Sequence, residues 1–278
     1  MTLTAPTDLA PPFAWEGDHV AVSLGAGARG LFTTRRGGVS EGPYASLNLG
    51  RWTDDDPAAI EENRRRVLAL TGKSAFAYGR QVHGASVVRV EPAALPESAP
   101  DAARAPGGGE AARGAPVEDG GGDASGAVRE ADGQATARAD VAVLVLTADC
   151  LPVLVAADGA VAAIHAGWRG LGAGVLEEGV RALRDLGGKG DVTAAIGPAA
   201  CGRCYEVRDD VREALGQPPT GGPAPIDLKQ IARRRLEAVG VTVHDVGLCT
   251  MCSPGDLFFS HRADGGVTGR QAGVAWLA

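Results

Sequence analysis

Lysine is nearly missing from this 278-residue chain: Lys73, Lys189 and Lys229 stand alone, and arginine supplies the rest of the 27 basic side chains. We read no function from that bias. Acidic side chains number 34, for a formal charge of -7, and this balance argues against a general nucleic-acid binder, which needs a basic face to neutralise phosphates. No segment approaches the roughly 18 consecutive apolar residues of a membrane span, and Met1 to Pro12 lacks a basic region followed by an apolar one. A soluble, cytoplasmic protein with no membrane partner is expected. Cysteines are few and odd in number (Cys150, Cys201, Cys204, Cys249 and Cys252), so a disulfide framework is not expected and the thiols are read as reduced. Aromatic residues are scarce too, at 4%, and Trp168 reads as a packing residue rather than a stacking wall. What is plentiful is apolar surface. A hydrophobic content of 45% in a chain of this length supports a sizeable core and excludes a wholly disordered chain.

Charge and apolar content are unevenly spread. Residues 91–139 carry nine acidic and four basic side chains, runs of three glycines at 107–109 and 120–122, and only Leu95, Val117 and Val128 as large aliphatics. Such a segment buries too little to offset its ordering entropy, and it reads as a flexible Gly/Ala-rich insertion in a single domain spanning 1–278. The fold is expected to resume at Asp140. Val141–Thr147, Leu151–Ala156 and Ala160–His165 read as strands, the last two joined across an AspGly turn. From Leu171 to Leu186 apolar residues recur at helical spacing, and Gly187-Gly188 ends the run. Pro57–Leu70, Asp209–Leu215 and Leu228–Val239 read as further helices, the last capped by Asp227. Val20–Ser23, Gly30–Thr34, Val192–Ile196, Val241–Leu248 and Ala272–Leu277 read as strands. No GxGxxG opens a helix after a strand, so a Rossmann domain is not indicated. The fold class is α/β, a single domain with a layered, mixed sheet.

Chemistry concentrates at three strand ends. Gln81-Val82-His83-Gly84, Ala148-Asp149-Cys150 and His165-Ala166-Gly167-Trp168-Arg169-Gly170 each set a metal-ligating side chain beside a break in the pattern. Two imidazoles and a thiolate suit zinc, and three protein ligands leave the fourth tetrahedral position for water or substrate. The competing account is three unrelated residues, two satisfied histidines and an inert buried cysteine. The two CxxC pairs, Cys201/Cys204 and Cys249/Cys252, could form a closed four-thiolate site, but the 44 residues between them, apparently helical, argue for isolated structural cysteines instead. Arginines beside glycines, Arg35 and Arg36 among them, together with Arg64, Arg169, Arg262 and Arg270, suggest a phosphate or phosphorylated substrate. Asp149 is tempting as a general base, but in an extended strand it would point away from Cys150.

Six motifs in order, the run from Thr34 to Gly50, Gln81–Gly84, Ala148–Val153, His165–Gly170, Cys204–Val207, and Phe258–Arg262 with Thr268–Arg270, resemble the purine nucleoside phosphorylase family once labelled multicopper polyphenol oxidase, or laccase-domain proteins. The resemblance spans the chain apart from 91–139. It implies a zinc enzyme for phosphorolysis of adenosine, inosine, guanosine and methylthioadenosine, and for adenosine deamination. It implies metal ligation and catalysis by His83, Cys150 and His165, and purine nucleoside and phosphate contacts at Asn48, Arg64, Gln81 and Arg169. The implied fold is a layered α/β/β/α domain similar to toxin-deamidase cysteine hydrolases, and the expected form is a monomer. His261, Ala263 and Arg203 depart from the family's usual Tyr, Arg and Cys. Copper-dependent phenol oxidation is disfavoured, because several coppers require many imidazoles and the chain has five histidines. A metal-free hydrolase, with Cys150 activated by His83 or His165 and a role in peptidoglycan-precursor editing, is the alternative enzyme. A module using zinc only structurally is opposed by the missing fourth ligand.

Overall fold

The computed structural model describes residues 8–25, 27–90 and 129–278. In chain order, β1 (Phe13–Glu16), β2 (His19–Gly25) and β3 (Ala28–Phe32) precede α1 (Pro57–Thr71), followed by β4 (Ala75–Ala77), β5 (Val87–Val90) and β6 (Gly133–Thr136). Next come β7 (Val141–Thr147), β8 (Leu151–Asp158), β9 (Ala160–Ala166), α2 (Trp168–Ala173), α3 (Val175–Asp185) and β10 (Lys189–Ile196). The chain continues through β11 (Glu206–Val207), α4 (Asp209–Ala214), β12 (Ala224–Pro225), α5 (Leu228–Ala238), β13 (Val241–Asp245) and β14 (Gln271–Leu277).

Two six-stranded mixed sheets carry the fold, ordered β1-β2-β3-β14-β7-β4 and β13-β10-β8-β9-β6-β5. The apolar runs that lack alternation are strands buried on both faces. In β7, Val141, Val143 and Val145 turn towards the second sheet, while Ala142, Leu144 and Leu146 pack under Val67 and Leu68 of α1. In β8 and β9, Leu154, Val161 and Ala163 face the first sheet, and Leu151, Val153 and Ile164 lie under α3 and α5. The α/β class and mixed sheets expected from the sequence are thus present, with helices outside and the sheets face to face.

Three local differences from the sequence reading have physical causes. The expected helix from Leu171 is two helices, because Gly174 takes a left-handed φ of 90° that a side chain rarely tolerates. The expected insertion falls at 91–128 outside the described residues, but the fold resumes before Asp140. Strand β6 is flanked by β5 and β9, and its short, small side chains (Gly133, Gln134, Ala135 and Thr136) give no hydrophobic signal. The short strands β1, β4 and β5 were equally silent in the pattern.

Candidate metal centre and cavity

The β8–β9 hairpin fixes the first two members of the site. Pro152 pairs with His165 and Leu151 with Ala166, so Cys150, just before β8, comes level with the end of β9. Side-chain alternation places His165 on the same face as Val161 and Ala163, towards the other sheet. His83 arrives on the loop between β4 and β5, and β5 reaches β9 through β6. One ligand atom from each of His83, Cys150 and His165 lies within 4.8 Å of the others. Cys150 Sγ is 4.0 Å from His83 Nε2, and the two imidazoles meet edge to face with centroids 4.9 Å apart. Ligand bonds of about 2.0–2.3 Å at a tetrahedral ion separate its donors by roughly 3.3–3.8 Å. The donor set and its spacing therefore fit a small divalent ion.

A residue absent from the sequence reading orders this cluster. Asp132 is fully buried. Its Oδ1 is 2.9 Å from His165 Nδ1 and accepts from the His83 backbone N–H at 2.9 Å. Its Oδ2 accepts from the N–H groups of Val82 at 3.2 Å and Gly84 at 2.6 Å. The carboxylate fixes the His165 ring with Nε2 free for the cluster, the usual support of a ligating histidine. Burial acts to raise the Asp132 carboxyl, but the hydrogen bonds from His165 and the Gly84 N–H hold it below the ordinary range. Asp132 lay in the segment read as insertion, and the signal that could have found it is the return of Asp132-Gly133 just ahead of a strand.

Burial also acts to raise the Cys150 thiol, yet His165, with His83 beside it, brings it down to about 6. In the same pair burial acts to lower His165, while the Cys150 thiolate and Asp132 bring it up to about 9. Without a metal, the two groups thus form a thiolate–imidazolium pair at neutral pH. Backbone strain marks the site as well: among the described residues, the non-glycine positions with positive φ are His83 (61°) and Asp149 (94°), both at the cluster.

The triad opens into a cavity of about 400 Å³ at the mouth between the sheets, lined also by Trp52, Gln81, Thr147, Tyr205, His261, Arg262 and Arg270. Trp52 is 55% exposed, an apolar plate at the rim. Burial holds the Arg270 guanidinium below its ordinary value. Arg262 stacks over Tyr205 at 4.5 Å.

A sequence model of the multi-copper polyphenol oxidoreductase laccase family matches residues 29–278. The chain belongs to that family. Its relatives include purine nucleoside phosphorylase ORF3 of Streptomyces griseus, 38% identical over 93% of this chain and 98% of the relative. Purine nucleoside phosphorylase PA4543 of Pseudomonas aeruginosa is also 38% identical, over 91% and 94%. Among solved structures, the hypothetical protein YfiH of Bacillus licheniformis superposes with a TM-score of 0.78 at 26% identity, covering 97% of this chain and all of that one. The resemblance read from the six motifs is therefore shown, and the laccase-family label coexists with relatives named for nucleoside phosphorolysis.

Within this family member the four expected substrate contacts fall in different places. Gln81 lines the cavity, but its amide is clamped to the end of β7, accepting from the Leu146 N–H at 2.8 Å and donating to the Leu146 carbonyl at 2.7 Å. Asn48 is fully buried and accepts from the N–H groups of Gly50 and Arg270, two cavity residues that it positions. Arg64, also fully buried, donates to the Leu49 carbonyl and lies over Tyr78 at 4.2 Å, behind the wall. Arg169 is exposed and stacks on Trp168 at 4.3 Å. The arginine pair before Gly37 is structural: Arg35 donates to the carbonyls of Ala45 and Gly255, and Arg36 pairs with Asp256.

Two further expectations are corrected. Asp149 is not in a strand. It turns inward at its positive φ, and its carboxylate accepts from Thr250 Oγ1, Ser260 Oγ and the Arg262 N–H, so it anchors the cavity wall. The four remaining cysteines, expected to be isolated, come together. The 44-residue gap is no obstacle, because β13 returns parallel and next to β10.

Proposed function

We propose that this protein is a zinc-dependent purine nucleoside phosphorylase that uses His83, Cys150 and His165, and that the same centre deaminates adenosine and phosphorolyses methylthioadenosine. The observation that carries the reading is the convergence of the three donors, with Asp132 behind His165, on a nucleoside-sized cavity that holds two arginines. Zinc held there would act as a Lewis acid and lower the pKa of a bound water.

The chain's own groups do the rest. Arg262 and Arg270, the cations lining the cavity, hold phosphate so that one of its oxygens faces C1′ of the ribose. Trp52 offers a face for the purine. In phosphorolysis the C1′–N9 bond breaks as a phosphate oxygen bonds to C1′, and the purine leaves with a proton on its ring. Tyr205 and His261 are the cavity side chains that can carry that proton. In deamination the oxygen of water bonds to C6 and ammonia leaves. Asn48 and Gln81 act as positioning residues in this account, through Arg270 and the end of β7.

Copper oxidation is opposed by the placement of the remaining histidines. His19 is buried and accepts from the Thr34 N–H, His244 lies in β13, and of the others only His261 reaches the cavity. A second reading, a metal-free cysteine hydrolase with a fold like that of the toxin deamidases, draws on the Cys150 thiol brought down to about 6 beside His165. The test is turnover of adenosine by zinc-loaded and chelator-stripped protein, with and without phosphate, followed by chromatography. Adenine with ribose 1-phosphate from the zinc-loaded protein supports phosphorolysis, and inosine without phosphate supports deamination. Failure of either zinc-loaded reaction refutes that part of the proposal.

A further inference from the structure

Cys201, Cys204, Cys249 and Cys252 all lie outside the cavity triad, and their sulfurs lie within 4.8 Å of one another. Cys201 Sγ is 3.5 Å from Cys204 Sγ and 4.0 Å from Cys252 Sγ. Disulfide sulfurs sit about 2.05 Å apart. Four thiolates on one tetrahedral ion with bonds of about 2.3 Å sit roughly 3.8 Å apart. The observed spacings straddle the second value and exclude the first.

The backbone is arranged for thiolates as well. The N–H groups of Cys201 and Met251 both point at Cys249 Sγ, at 3.3 and 3.4 Å, and such donors stabilise a negatively charged sulfur. Arg203 lies between the first two cysteines, and its positive charge would offset part of the charge of four thiolates. The fold explains the meeting. Ile196 at the end of β10 pairs with Asp245 at the end of β13, and each strand runs on into its own CxxC loop. Ala199 and Thr250 extend the pairing beyond the strands, through the bonds from the Ala199 N–H to the Leu248 carbonyl and from the Thr250 N–H to the Ala199 carbonyl.

We propose that Cys201, Cys204, Cys249 and Cys252 hold one zinc ion in a closed tetrathiolate site, distinct from the His83–Cys150–His165 centre, which fastens one wall of the cavity. With all four positions taken by protein, the ion has no place for substrate and its role is structural. The wall it fastens bears on the chemistry: Cys204 is followed by Tyr205, which lines the cavity, and Thr250 donates to Asp149 beside Cys150. The proposal stands whether or not the cavity processes nucleosides.

The test uses the full chain with His83→Ala and Cys150→Ala together, which dismantles the triad and leaves these four cysteines as the only ones. Purified under reducing conditions and supplied with zinc, this variant is expected to retain about one zinc per chain by mass spectrometry, against about two for the unaltered protein. Its thiols should resist a thiol reagent until a strong chelator is added, and cobalt(II) put in place of zinc should give the intense thiolate-to-metal absorption of a tetrahedral sulfur site. A metal-free variant with four freely titrating thiols, a disulfide between any two of the four, or a bound cobalt lacking thiolate absorption would overturn the proposal. Cys201→Ser with Cys204→Ser in the unaltered background should lose one of the two zinc equivalents. Because that variant can fail to fold, the triad variant decides.

Discussion

Asp132→Asn isolates the support beneath the His83–Cys150–His165 cluster without changing its size. The carboxylate serves four donors: His165 Nδ1 and the His83 N–H on one oxygen, the Val82 and Gly84 N–H groups on the other. An amide has one acceptor oxygen. If that oxygen faces His165, the amide NH2 opposes the N–H groups of Val82 and Gly84. If it faces the loop, the NH2 opposes the His83 N–H and forces His165 to accept at Nδ1, so that its proton moves to Nε2 and the ring loses its free donor for a metal. Either way two donors lose a charged acceptor, each worth about 1.5–3 kcal/mol. The metal-free protein should lose about 3 kcal/mol or more, a fall in Tm of roughly 6–12 °C. Zinc affinity at the triad should fall about 10–100-fold, as is usual when a ligating histidine loses its carboxylate. Competition titration against a chromophoric chelator measures the affinity, and calorimetry on stripped protein the Tm. Unchanged zinc affinity, within a factor of about two, would show that Asp132 does not orient His165 and would refute the reasoning.

Three further outcomes follow from the geometry. Gly167→Ala places a Cβ 3.0 Å from His83 Cδ2 and 3.1 Å from Cys150 Sγ, while the extended backbone of Gly167 (φ -76°, ψ 169°) suits alanine. Zinc affinity should therefore drop about 10-fold or more with the far-ultraviolet circular dichroism intact, and an unaltered affinity would mean the triad is looser than it looks. In stripped protein, alkylation of Cys150, followed by peptide mapping, should be half-maximal near pH 6. The lowered thiol contributes stability that is complete above the ordinary thiol range and lost as pH falls through about 6; the raised imidazole contributes stability that is complete below its ordinary range and lost as pH rises through about 9. A midpoint at the ordinary thiol value would remove the ion pair. Arg64→Ala should cost about 2–4 kcal/mol in urea unfolding through lost stacking on Tyr78 and a lost bond to Leu49, with the KM for phosphate changed less than about twofold; a large rise in KM at unchanged stability would make Arg64 a substrate contact after all.

The long strands and helices were legible because they are buried on both faces or along one stripe, as in β7, β8, β9 and α3. The three candidate metal ligands were legible because each is a His or Cys set at a strand end or beside a break in the apolar pattern. Asp132 was not: its role comes from loop N–H groups contributed by residues 82–84, a relation that no spacing along the chain expresses. The meeting of the two CxxC pairs is disfavoured by the sequence for a related reason. A gap of 44 residues is long for a compact zinc site, whereas parallel pairing of β10 with β13 brings 201–204 and 249–252 to one rim. Arg64 and Asn48, expected to contact substrate, have protein partners that the sequence does not reveal. Arg64 of α1 donates to the Leu49 carbonyl, and Asn48 bonds to Gly50, Thr53, Asp55 and Arg270, while fully buried Asn63 of α1 donates to Ser40 and to the carbonyls of Ser46 and Asn48 and so holds the loop from Thr34 to Gly50 against the helix.

The most direct test of the account is phosphorolysis by protein whose triad alone has been altered. Zinc-loaded wild-type protein given adenosine and phosphate should yield ribose 1-phosphate in an amount equal to the free purine base released, adenine together with hypoxanthine from deaminated adenosine, and Cys150→Ser, with the tetrathiolate cysteines untouched, should bind one zinc fewer and lose at least about 100-fold in turnover. Full turnover by Cys150→Ser, or by wild-type protein stripped of metal, would contradict it.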